Sequence, residues 1–326
     1  MRKMKFYAGA AVMSTALLLG ACGGAETEGN NNSASSAENA GEENQQLQGE
    51  IQVDGSSTVF PIMEAVAEEY MMEQPGVNVT VGQSGTGGGF EKFAAGETHV
   101  SNASRPIKEE EVKALEEAGI DFTEFEVAYD GLSVVVNKEN DWVDHLTVDE
   151  LKKIWVDNGE TKKWSDIREG WPDEEIKLYS PGTDSGTYDY FNEVILEDAQ
   201  IDKNAVLSED DNVLVQGVTG DKNALGYFGY AYYAENKDNL KVVPIDGGEG
   251  PVEPTNETVE SGEYSPLSRP LFVYVSNKAV AEDEAVYDYM KFMIENAGTL
   301  SEEVGYVSLP EEEYQSALEK LEGLKK

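Results

Sequence analysis

Gly131–Asn137, GLSVVVN, and Pro270–Ser276, PLFVYVS, are two β-branched and aromatic runs lying far apart in the chain. Each reads as a buried strand. Between them lies a self-contained alternation of elements. Thr147-Val148-Asp149-Glu150 has capping-box spacing ahead of a helix predicted over Leu151–Val156. Ile176–Tyr179 reads as a strand, Thr187–Leu196 as a helix, and Leu225–Tyr233 as an aromatic-rich strand or pair. Before the first run, Glu50–Val53, Val59–Glu73 and Val77–Val81 read as strand, helix and strand, with Ile62, Met63, Val66 and Tyr70 on one helix face. After the second, Glu282–Glu295 and Glu311–Leu324 read as amphipathic helices with solvated acidic faces. A chain that leaves one α/β lobe, builds another and returns makes two lobes joined by two crossovers. Ligands bind in the cleft between such lobes. The expected lobes are 49–135 with 270–326, and 136–269.

The ends of the chain carry different signals. Arg2, Lys3 and Lys5 precede an apolar run, Phe6–Leu19, that closes on Leu19-Gly20-Ala21-Cys22. This is the pattern of an export signal with a lipobox, predicted for residues 1–21, and the run is short for a membrane span. Cys22 is the only cysteine, so it has no intramolecular disulfide partner. It is the expected lipid-bearing start of the mature chain, where acyl groups at about 0.8 kcal/mol per buried CH₂ hold the protein to the extracytoplasmic face of the cell membrane. Residues 22–48, rich in Gly, Asn, Ser, Ala, Glu and Gln, read as a disordered tether. With 64 acidic against 24 basic residues the formal net charge is −40, which excludes nucleic acid as a partner. The same charge opposes anion capture unless salt shortens the Debye length, to about 3 Å at 1 M, so the composition points to a saline or alkaline habitat.

Three segments nevertheless share an anion-binding design. Asp54-Gly55-Ser56-Ser57-Thr58, Ser84-Gly85-Thr86-Gly87-Gly88-Gly89 and Thr183-Asp184-Ser185-Gly186-Thr187 each place hydroxyls and glycine where the chain enters a helix. A helix N-terminus leaves backbone N–H groups unpaired and carries about half a positive charge, so it seats an oxoanion. One such segment is ordinary capping; three, with Ser-Gly-Thr recurring once per expected lobe, suggest two helix starts facing across the cleft. A fourth element is Ser101-Asn102-Ala103-Ser104-Arg105-Pro106 ahead of a helix predicted over Lys108–Ala118. Arg105 is one of four arginines, with Arg2, Arg168 and Arg269, and its guanidinium fork matches two oxygens of a tetrahedral anion. Arg269, at the start of a crossover strand, reads as a hinge or interlobe residue.

GSSTVFP, QSGTGGGF, SNASRPIKEEE and PGTDSGTYDYF, in this order and spacing, resemble the PstS family of phosphate-binding proteins from phosphate-specific ABC importers. The likeness continues through LTVDELKKIW, WSDI, NVLVQGV, NALGYFGYAYY and SRPLFVYV, and so covers nearly all of Gly49–Lys326. It implies a two-lobed periplasmic-binding-protein architecture of type II, α/β throughout, with two crossover strands and the ligand in the interlobe cleft. It implies capture of inorganic phosphate and its delivery, by a monomer without cofactor or metal, to the permease and ATPase subunits of an importer. Carried over by position, the ligand shell is Ser57, Thr58 and the Val59 N–H, Ser84 and Thr86, Ser104 and Arg105, and Ser185, Gly186 and Thr187. The best-known members have Asp where Ser104-Arg105 stands and Arg where Ser180-Pro181-Gly182 stands, which leaves open the group that accepts the phosphate proton. HPO₄²⁻ carries that proton and SO₄²⁻ does not, so a buried carboxylate facing it rejects sulfate. Asp184 and Asp54 lie inside binding motifs, and Asp184 is the preferred candidate.

Two other readings share these loops. A secreted phosphatase-like enzyme could use the same donors on a transferring phosphoryl group. His99 and His145 are the only histidines and have no ligand-like spacing, so the chain reads as a binder without catalytic residues. A receptor for sulfate, molybdate or arsenate is the alternative within the binding class. Closure is expected to hinge near residues 131–137 and 269–276.

Overall fold

The computed structural model describes residues 47–183 and 185–325; the expected signal segment, Cys22, nearly all of the expected tether and Asp184 fall outside the described residues. The chain enters through β1 (Gly49–Gly55), α1 (Phe60–Glu73) and β2 (Val77–Val81). β1 and β2 pair in parallel with Ile51 opposite Val79, and α1 covers them with Ile62, Met63, Val66, Ala67 and Tyr70. This is the helical face expected from the spacing. α2 (Gly85–Ala94), β3 (Val100–Ala103) and α3 (Glu109–Ala118) follow, with β3 parallel to β1.

The first crossover is β4 (Phe122–Asn137), twice as long as the apolar run that announced it. In its first half Phe125 and Val127 are buried, Glu126 is exposed, and Glu124 accepts from the hydroxyl of buried Tyr274 at 2.6 Å. That half pairs antiparallel with the strand Ser268–Ser276, which in turn pairs with β3. Its second half, Leu132–Val136, pairs instead with the strand Ala224–Gly229. The main sheet therefore runs β2, β1, β3, Ser268–Ser276, β4, Ala224–Gly229, Lys177–Pro181, Val206–Ser208, with Leu240–Val242 also pairing to β4. The two largest buried apolar clusters change over along the same two strands. One draws on Ile51–Ala128 and Leu271–Leu321, the other on Leu132–Leu267 with Val307. This is the two-lobed α/β architecture of type II, in which two strands carry the chain between cores.

Local details bear on the cleft. Thr147 caps the helix Val148–Trp155, accepting from the Glu150 N–H at 3.1 Å while Glu150 accepts from the Thr147 N–H at 2.9 Å. Arg168 grips the same Glu150 at 2.6 and 2.7 Å and is thereby a bracing residue. The helix expected over Thr187–Leu196 is α-helical over Gly186–Phe191 and widens to a π-turn over Asn192–Leu196. The aromatic run Leu225–Tyr233 is a strand only to Gly229; Tyr230–Asn236 is helical, because Gly229 ends the strand and its extended backbone caps the helix. Among the described residues no helix is long and apolar enough to cross a membrane.

Candidate functional site

The turn after β1 is built on Gly55. Its φ is +147° and a Cβ there would stand 2.1 Å from the Asn102 carbonyl oxygen, so only glycine lets the turn lie on the end of β3. Ser56 N–H then donates to that oxygen at 3.0 Å, and Ser56 Oγ accepts from the Thr58 N–H at 3.2 Å. Val59 caps α1, with Pro61 in its first turn.

Across the cleft, Ser185 Oγ accepts from the Thr187 N–H at 3.2 Å and so caps the helix Gly186–Phe191. The two lobes meet here. A Cβ on Gly186 would lie 2.6 Å from Thr58 Cα, so glycine is needed for the approach. Ser57 Oγ donates to Asp189 Oδ2 at 2.7 Å. Ser57, Ser185, Gly186 and Thr187 line one cavity of about 400 Å³, with Asp130 and Tyr306 on its wall.

Ser84, Thr86, Ser104 and Arg105 are not among its lining residues and have partners of their own. Ser84 donates from N–H and Oγ to Asp54 Oδ1, and Lys92 Nζ pairs with Asp54 Oδ2 at 2.5 Å. Burial opposes the Asp54 charge, but Lys92 and the Ser84 donors prevail and hold its pKa below the ordinary value. A carboxylate so engaged is a poor acceptor for a ligand proton. Thr86 Oγ1 lies 3.2 Å from Ser104 Oγ and accepts from the Ser104 N–H at the same distance. Arg105 spends its fork on Glu111, at 2.8 and 2.7 Å.

The guanidinium that reaches the facing loops is Arg269. Nη2 donates to Thr58 Oγ1 at 3.0 Å, Nη1 to Glu193 at 3.2 Å, and the group stacks 3.6 Å above the Tyr190 ring centroid. Its Nε is 3.5 Å from Asp130 Oδ2, an ion pair without a hydrogen bond. Asp130 is 2% exposed, and burial pushes its pKa up to about 6 against the pull of Arg269. Tyr306 completes the cluster by donating to the Thr58 carbonyl at 2.6 Å. Arg269 thus ties the Thr58 turn to Tyr190 and Glu193 of the other lobe.

The PBP superfamily domain matches residues 36–297. The phosphate-binding protein PstS of Staphylococcus haemolyticus (strain JCSC1435) is 44% identical over 316 residues, covering 96% of this chain and 95% of that one. The chain belongs to the PstS family of phosphate-binding proteins. A solved structure of a possible phosphate binding protein from Planctomyces limnophilus DSM 3776 superposes with a TM-score of 0.82 at 49% identity, covering 86% of this chain and 100% of the other. An ABC-type phosphate transport receptor from Vibrio cholerae gives 0.60 at 24% identity, over 80% and 100% of the two chains, a likeness of fold alone.

In this PstS chain the sequence pointed to Ser57, Thr58, Ser185, Gly186 and Thr187, and these come together. Ser84 is held on Asp54, and Thr86 on Ser104, outside the lining of that cavity. Asp130, Asp189, Tyr190 and Tyr306 were not singled out. Asp130 and Arg269 both stand where the crossover strands change lobes, and that position is the signal that joins them. Tyr306 had none. His99 Nδ1 accepts from the Gln52 N–H at 3.0 Å, a bracing contact between the middle of β1 and the residue that precedes β3.

Proposed function

We propose that this protein captures inorganic phosphate outside the cell membrane and delivers it to the permease and ATPase subunits of an ABC importer. The observation that carries the reading is one cavity lined by Ser57 from one helix start and by Ser185, Gly186 and Thr187 from the facing one, with Arg269 donating to the adjacent Thr58. Hydroxyls and backbone N–H groups at helix starts are donors to the oxygens of a tetrahedral anion, and they act without a covalent step. Membership of the PstS family supports phosphate as that anion.

The proposed ligand shell is Ser57, Thr58, Val59, Ser185, Gly186 and Thr187, with Arg269 fixing Thr58; Ser84, Thr86, Ser104 and Arg105, outside the lining of that cavity, are proposed to complete the shell as the lobes close. Because Asp54 is engaged by Lys92 and Ser84, the reading assigns the proton-accepting carboxylate to Asp184. The lobes are 49–135 with 270–326, and 136–269, closing by rotation at the crossovers, and Cys22 carries the lipid anchor. The chain acts as a monomeric binder, and the phosphatase reading is set aside.

Calorimetric titration of Asp184→Asn with phosphate and sulfate tests the assignment. Discrimination against sulfate should shrink by tenfold or more, since a charge-assisted bond contributes about 1.5–3 kcal/mol. Unchanged discrimination sinks the role of Asp184. Turnover of a phosphate ester by the wild type overturns the binding reading itself.

A further inference from the structure

Four large apolar residues are exposed among the described residues: Met72, Val206, Leu207 and Val213. Three of them fall between positions 206 and 213. Val206 and Leu207, 46% and 39% exposed, belong to the strand Val206–Ser208, the last in the main sheet's order. Val213, 44% exposed, lies in the first turns of the helix Asp211–Gly220, whose Leu214, Val215 and Val218 are turned inward. Val206 and Leu207, successive residues of the strand, flank the free sheet edge on its two faces, and Val213 stands at the start of the helix that follows. Scattered apolar residues need no explanation, but a cluster at a strand edge marks an interaction surface.

The segment between them fixes the chemistry of what covers it. Glu209, Asp210 and Asp211 follow in succession. Glu209 and Asp211 also line the interlobe cavity, so the patch is continuous with the lip of the binding cleft. Burial, and after it the charges of Asp210 and Glu209, pushes Asp211 up to about 6, and a basic group brought beside it would favour its charged form.

We infer that the apolar edge Val206–Leu207–Val213 with its acidic rim is the surface on which the importer's permease docks, through an extracytoplasmic face that is apolar with basic residues beside it. The inference rests on the delivery reading above. A partner seated on the cleft lip touches the elements that carry Glu209 and Asp211, so its fit depends on how the lobes are set, and it can favour the closed, loaded receptor.

The test uses the full lipoprotein with its importer in proteoliposomes, measuring phosphate-stimulated ATP hydrolysis against receptor concentration, beside calorimetric titration of the receptor with phosphate. In Val206→Ser/Val213→Ser the phosphate affinity should stay within about twofold of wild type, while half-maximal stimulation should require about tenfold more receptor, as for loss of a central apolar contact. Asp210→Asn keeps the helix cap but deletes the charge; it should raise that requirement about threefold at low salt and less at high salt. Met72→Ser, at the remaining exposed apolar site, should match wild type. Unaltered stimulation by the double variant overturns the inference, as does an equal loss in Met72→Ser. Light scattering that shows a wild-type dimer dispersed by the double variant also overturns it, because the occupant would then be a second copy. A wild type that fails to bind phosphate refutes the capture reading instead, and the titration separates the two failures.

Discussion

Replacing Arg269 with methionine keeps much of the side chain's apolar length and removes its charge, and the expected loss follows from its partners. The Tyr190 ring is 2% exposed, so the stacked cation contributes about 1–2 kcal/mol. Glu193 is 59% exposed on its side chain and its pair contributes little. Asp130 is the larger matter. It is buried with Arg269 as its counter-ion, and breaking a buried pair from one side costs about 3–5 kcal/mol. Uptake of a proton by Asp130 caps that cost, so Arg269→Met should lose about 3–5 kcal/mol in all, a fall in Tm of about 10 °C. The effect on binding is separate. Thr58 Oγ1 loses the donor that fixes it, a charge-assisted bond of about 1.5–3 kcal/mol, so phosphate affinity should fall between about tenfold and a hundredfold. Thermal unfolding and calorimetric titration read the two quantities. Adding Asp130→Asn should restore most of the stability and little of the affinity, since the buried charge goes but the Thr58 contact stays lost. Phosphate affinity within twofold of wild type in Arg269→Met would refute the role of Arg269 in holding Thr58 for the anion.

Other consequences can be checked alongside. Asp130 holds its proton to about pH 6 in the folded state against 3.8 as a free group, so the folded protein binds more protons between those values and its stability falls as pH rises through them. Denaturant unfolding of Asp130→Asn should therefore gain on wild type from pH 4 to pH 6, by up to about 3 kcal/mol, and parallel curves would contradict it. Gly186→Ala should weaken phosphate binding at least tenfold while moving ligand-free Tm by only a few degrees, because its Cβ meets Thr58 Cα at 2.6 Å across the lobes and obstructs closure. Glu111→Gln should cost about 1–3 kcal/mol in denaturant unfolding, since Glu111 holds the Arg105 fork and accepts from the Lys108 N–H at 2.8 Å; no change would make the pair incidental.

Features that depend on near neighbours could be read from the chain. The buried face of α1 and the Thr147–Glu150 capping box follow from spacing. Where tertiary pairing decides, the reading stopped short. Phe122–Asp130 alternates charged and apolar residues and becomes a strand only because Ser268–Ser276 returns beside it. Tyr230, Tyr232 and Tyr233 favour strands by type, yet helix formation after Gly229 wins. Arg105 sits among hydroxyls, but Glu111, in the first turn of the next helix, is within reach and takes its fork. Arg269 draws its partners from Thr58, Asp130, Tyr190 and Glu193. No spacing within one sequence exposes a cluster assembled from four separate segments.

Calorimetric titration of the purified protein with phosphate and with sulfate, at low and at high salt, bears on the central claim most directly. Two facing helix starts in a strongly acidic chain should bind phosphate at one site per molecule, tighten as salt screens the net charge of −40, and leave sulfate at least a hundredfold weaker, on the order of 3 kcal/mol. Equal affinity for the two anions, or no heat with phosphate at either salt, would contradict the account.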